Sequence, residues 1–133
     1  MTIVVGFVPT NEGRAALRRA AEEARTRSTR LVVINSNRGG KDLAAEDAER
    51  YESELATVQR ELTEAGVEHE VRQLVRGLEP AEDLIAVAEE TQADFIVIGL
   101  RRRTPVGKLI LGSNAQRILL DAPCPVLAVK ADV

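Results

Sequence analysis

The chain has 133 residues, with 18 Lys and Arg against 21 Asp and Glu and 44% hydrophobic residues; this is the size and composition of one globular domain spanning 1–133, not of a disordered or collagen-like chain. One Cys, one His, one Tyr, two Phe and no Trp exclude a disulfide framework, a Cys/His zinc site and aromatic platforms for single-stranded nucleic acid. The net charge of −3 argues against a general binder of nucleic acid or acidic membranes, no apolar run is long enough to span a bilayer, and no signal segment is read ahead of the first apolar run, so a reducing cytoplasm is the expected setting.

In chain order, the apolar run at 3–8 reads as a strand buried on both faces, ended by Pro9. Thr10 or Asn11 can cap a helix over 12–27, whose apolar positions Ala16, Leu17, Ala20 and Ala24 recur at helical spacing; its alanines allow close approach to a sheet. A second strand at 31–34 gives way to a loop signal from Asn35 to Gly40, and a charged helix over 42–65 stops at Gly66. Residues 67–75 alternate as an edge strand does. Pro80 opens the next helix; 94–99 is a strand; a loop over 100–111 precedes a helix over 113–120; and Pro123-Cys124-Pro125 leads into a last strand of Val126, Leu127, Ala128 and Val129.

Such regular alternation predicts an α/β fold: an open five-stranded parallel sheet with helices on both faces, in the order 3-2-1-4-5. Ligands of such sheets sit beyond the carboxyl ends of the strands at the topological switch point, here between strands 1 and 4. That brings Val8, Pro9 and Thr10 beside the 99–112 loop, which carries Gly99, Gly107 and Gly112, the basic residues Arg101, Arg102, Arg103 and Lys108, and a helix start at Ser113-Asn114. Close backbone approach, positive charge and free helix-start amides suit a phosphate group; the bland reading is a solvated loop with a serine cap. Neither the P-loop spacing nor the G-x-G-x-x-G dinucleotide pattern is present.

Gly99, two residues, Arg102, nine residues, Gly112-Ser113 resembles the signature of the universal stress protein family, which reads Gly, two residues, Gly, nine residues, Gly, then Ser or Thr. Gly77-Leu78-Glu79-Pro80-Ala81, Asp94 to Gly99, and Ala122-Pro123-Cys124-Pro125-Val126-Leu127 are also similar to that family. The resemblance implies an adenine nucleotide alpha hydrolase-like (Rossmann-like) domain acting in the stress response, a homodimer meeting through strand Val126–Val129, and a site for ATP or AMP, with Mg2+ beside a triphosphate. It implies phosphate and ribose contacts at Gly99, Gly112, Ser113 and Asn114, a phosphate position at Arg102, and adenine-pocket walls at Ser36, Pro9 and Thr10. Two departures bear on affinity. Arg102 stands where the signature has its second glycine, and Val8 stands where nucleotide-binding members carry an Asp. A lost hydrogen bond of about 1 kcal/mol weakens binding roughly tenfold. The expectation is a weak nucleotide-binding regulatory module; the alternative is a non-nucleotide-binding dimeric scaffold for protein contacts.

No catalytic residue and no metal ligand is read from the chain. His69, on an edge strand, reads as structural, and Cys124 as a small thiol. With no general base beside the loop, the chain is expected not to be an enzyme, any activity being limited to slow ATP hydrolysis.

Overall fold

The computed structural model describes residues 1–8, 10–37, 45–75, 79–100 and 112–131. The elements follow as β1 (Thr2–Gly6), α1 (Asn11–Arg27), β2 (Arg30–Asn37), α2 (Ala45–Glu64), β3 (His69–Val75), α3 (Pro80–Thr91), β4 (Phe95–Leu100), α4 (Ser113–Asp121) and β5 (Val126–Lys130). All pairings are parallel, in the order β3-β2-β1-β4-β5, as the alternation predicts.

Period-two alternation along the central strands sends side chains to opposite faces. Ile3, Val5, Leu31, Val33 and Val97 pack beneath α1 and α2 with Ala16, Ala20, Leu55 and Leu62. Val4, Val32, Ile34, Ile96 and Ile98 pack on the other face with Ala81, Leu84 and Val87 of α3 and Ile118 of α4. Both faces of the sheet centre are therefore covered, which is why its strands read as unbroken apolar runs. The alanines of α1 that face the sheet, Ala16, Ala20 and Ala24, are all buried.

Helix ends follow local chemistry. Thr10 caps α1, its Oγ1 accepting from the Gly13 amide at 3.1 Å. Pro80 occupies the first turn of α3. Gly66 turns the chain after α2 at φ +74, a conformation glycine adopts without steric cost.

The carboxyl ends of two strands differ most from the sequence reading. β1 ends at Gly6 rather than Val8, although the Phe7 amide still donates to the Ile34 carbonyl at 2.9 Å. β2 runs through Asn37 instead of ending at Ile34, because Asn35, Ser36 and Asn37 pair with Gln73, Leu74 and Val75 of β3. The polar Asn35-Ser36-Asn37 run signals a loop locally, but a neighbouring strand supplies the backbone partners that such a segment needs. The start expected for the second helix, 42–44, lies outside the described residues. Among the described residues, no helix is long and apolar enough to cross a membrane.

Candidate functional site

The carboxyl ends of β1 and β4, the central pair of the sheet, open onto a cavity of about 190 Å3. Its floor is apolar, built from Phe7, Ile34, Leu84, Ile98 and Ile118. The rim carries Gly6, Val8, Glu12, Gly13, Pro80, Gly99, Asn114 and Ala115. An apolar pocket with a few polar groups at the switch point of a parallel sheet is the usual form of a small-molecule site. A larger hollow of about 490 Å3 separates α1 from α2. It lies over one sheet face, bordered by the Arg14–Glu54 ion pair, and its lining includes neither the start of α1 nor that of α4.

Two helix starts flank the cavity, and they differ. The α1 start is closed: Thr10 Oγ1 accepts from Gly13, and Glu12 places an acidic group in the first turn. The α4 start is open: Gly112, at φ −68 and ψ 162, supplies no side-chain cap, and the first turn has no acidic residue. Its first intrahelical bond is that from the Gln116 amide to the Gly112 carbonyl at 3.0 Å. The amides of Ser113 and Asn114 precede it, so they have no intrahelical acceptor, and the aligned peptide dipoles make this end attractive to an anion.

The glycines at the rim are there for packing. A Cβ on Gly99 would stand 2.1 Å from the Glu12 carbonyl oxygen, and one on Gly13 would stand 1.9 Å from the Val8 carbonyl oxygen. The end of β4 is thus pressed against the first turn of α1, and that turn against the end of the β1 segment.

Of the residues singled out from sequence, Gly99 and Asn114 line the cavity; Gly112 and Ser113 begin α4 next to Asn114, and Thr10 caps α1 one turn before the lining residue Gly13. Asn114 has a structural duty: its Oδ1 accepts from the Ala81 amide at 3.2 Å, tying the start of α3 to the start of α4. Ser36 lies on β2 opposite Leu74, and Ile34 of the same strand lines the cavity. Pro9 and Arg102 lie outside the described residues. Val8, where the resemblance leads one to expect a carboxylate, is 41% exposed at the rim.

The sequence reading missed Glu12 and Gly13. Topology could have found Glu12, since it falls in the first turn after β1 at the switch point. Nothing local marks Gly13, whose need for a missing Cβ arises from the fold of the preceding turn. His69 is half-buried on edge strand β3, with Nδ1 2.9 Å from the Val67 carbonyl oxygen. Burial pushes the Cys124 thiol up from its usual range, and the Asp94 carboxylate adds to the effect, which opposes formation of the nucleophilic thiolate. Among the described residues, no group of three His, Cys, Asp or Glu side chains is placed to hold a metal ion.

Comparison with known proteins agrees with this architecture. The model of the Universal stress protein family matches residues 1–130. A universal stress protein of Mycolicibacterium smegmatis is 45% identical over 128 residues, covering 96% of each chain. Among solved structures, a universal stress protein from Archaeoglobus fulgidus superposes with a TM-score of 0.82 at 40% identity, covering 98% of both chains. Another from that organism, solved in complex with dAMP, has a TM-score of 0.76 at 34% identity, again covering 98% of both chains. On the match along its length, and on the order of its sheet, this chain belongs to the universal stress protein family.

Proposed function

We propose that this protein is a regulatory module that binds an adenine nucleotide, AMP or ATP, at the carboxyl ends of β1 and β4. The observation that carries this reading is the apolar cavity beside the uncapped start of α4. The base meets the apolar floor, and the phosphate meets the amides of Ser113 and Asn114. At about 190 Å3 the cavity is smaller than the ~300–1,000 Å3 usual for a drug-sized ligand, so it takes the nucleoside end and leaves the phosphates at the rim. The dAMP complex of the Archaeoglobus relative supports the same ligand class. With ATP, Mg2+ accompanies the phosphates as their counter-ion.

Binding without turnover is the proposed role. Glu12 is the one titratable side chain among the described residues lining the cavity, and it lies on the wall opposite the α4 start. We also infer that the protein works as a homodimer meeting through β5, an edge strand that carries apolar Val126, Leu127 and Val129, and that it works in the cytoplasm, where a lone Cys124 stays reduced.

Isothermal titration calorimetry with AMP and with ATP, the latter with and without Mg2+, tests the reading. Micromolar to millimolar affinity is expected. Ser113→Asp places a carboxylate at the phosphate end and should lower affinity at least tenfold while leaving the fold intact. No heat and no thermal shift at millimolar nucleotide would reject nucleotide binding in favour of a scaffold acting through protein contacts, the role that apolar Val8 at the rim would favour.

A further inference from the structure

Among the described residues, the two ends of the cavity differ in charge, which bears on how a nucleotide would lie in it. Among the described residues that line it, Glu12 is the one charged side chain. No described residue forms a hydrogen bond or ion pair with that carboxylate. On the same helix, by contrast, Glu22 and Glu23 pair with Arg19, and Glu23 with Arg27 as well. The position of Glu12 is fixed by the close approach of β4: a Cβ on Gly99 would stand 2.1 Å from the Glu12 carbonyl oxygen and 3.0 Å from the Glu12 Cβ.

A carboxylate in the first turn of α1 is favourable toward that helix's own dipole, which accounts for its stability there. It also changes what the α1 side of the cavity accepts. Thr10 already takes the Gly13 amide, and a phosphate brought to this end would face Glu12. The α4 end has neither a side-chain cap nor an acidic residue in its first turn. An anion is thus directed to α4, and what reaches Glu12 must be a hydrogen-bond donor, because an ionised carboxylate only accepts. The apolar floor takes the base. The part of a nucleotide that remains for a half-buried rim carboxylate is the sugar, whose 2′- and 3′-hydroxyls are paired donors.

Resting on the nucleotide reading above, we propose that Glu12 is a specificity-determining residue that accepts hydrogen bonds from the ribose hydroxyls and makes this protein prefer ribonucleotides to deoxyribonucleotides. The relative solved with dAMP sets the contrast: a ligand lacking the 2′-hydroxyl lacks one of the two donors that Glu12 would meet.

The test is calorimetry on the full chain, in EDTA, with AMP, 2′-deoxy-AMP and 3′-deoxy-AMP. Wild type should bind AMP about tenfold more tightly than either deoxy form, the scale of a hydrogen bond to a charged acceptor. Glu12→Ala should bring the three affinities together. Glu12→Gln keeps a neutral acceptor in the same shape and should retain part of the preference. Equal binding of AMP and 2′-deoxy-AMP by wild type overturns the assignment of Glu12 and leaves the nucleotide site standing. So does an Ala variant that loses affinity for all three ligands by the same factor, since the carboxylate would then meet a group they share. No binding of any of them by wild type overturns the nucleotide reading and this inference with it.

Discussion

Gly99 shows how one residue can be marked by sequence and explained only by packing. The motif spacing singles it out as a candidate phosphate neighbour, and the fold gives it a packing duty. Its Cα–H edge is where β4 meets the first turn of α1, with the Glu12 carbonyl oxygen 2.1 Å from the place of a Cβ. The obstructing atoms are backbone, so relief requires the helix or the strand to move. Gly99→Ala is expected to destabilise the protein by about 1–3 kcal/mol, the usual cost of overpacking, read as a lower urea midpoint at unchanged slope; an unchanged midpoint would contradict the packing account. Asn114 carries a similar double meaning. Its place after Gly112-Ser113 suggests a ligand contact, yet its Oδ1 satisfies the Ala81 amide. No sequence pattern shows that pairing, because the two residues come from different helices.

At the level of elements, the two helix starts at the cavity were only partly legible. Thr10 is recognisable as a cap by residue type, and the structure bears this out. The openness of α4 is likewise foreshadowed by Gly112, which has no side chain to cap with. The extent of β2 was not legible, since Asn35, Ser36 and Asn37 owe their strand conformation to β3. That same β2–β3 pair carries an ion-pair group. Glu70 pairs with Arg30 and Arg72, and Arg72 reaches Glu90 at 3.2 Å. The hydrogen bond from Arg72 holds the Glu70 carboxyl below the usual carboxylate range, with the charge of Arg30 adding to it. A lowered folded-state value means that the stabilisation is fully present above the unfolded carboxyl's range, about pH 4.3, and is lost as pH falls through the folded value. The group is about one-third exposed, so its contribution is below about 1 kcal/mol. Wild type should exceed Glu70→Gln in stability at pH 7, and the gap should be smaller at pH 3. Urea titrations at the two pH values check this, and an equal gap at both would count against it.

For the whole molecule, burial is uneven across the sheet. The central strands are sealed, while β5 stays half-exposed along its length and Leu119 and Leu120 of α4, the helix leading to it, are 41% and 76% exposed. An apolar sheet edge of this kind is an association hazard unless it is paired, and a two-fold contact between two β5 strands would close it. Multi-angle light scattering at micromolar concentration should give twice the monomer mass; a monomeric mass would remove the dimer from the proposed function.

The sequence by itself determined the alternation of elements, the strand order and the switch point between β1 and β4, because unbroken apolar strands and amphipathic helices admit few right-handed arrangements. One His, one Cys and no Trp also fit a phosphate site built from glycine backbone, a helix start and arginines, which needs none of those residues. Only the tertiary structure decided that the α1 side of the cavity bears an acidic residue, that Gly13 and Gly99 are held by backbone contacts, and that Asn114 fastens α3 to α4. The physical reason is one of range. Burial patterns and capping preferences act between near neighbours in the chain, and a single sequence records them. The polarity of a cavity arises from groups brought together across the sheet, and it exists only once their walls face each other.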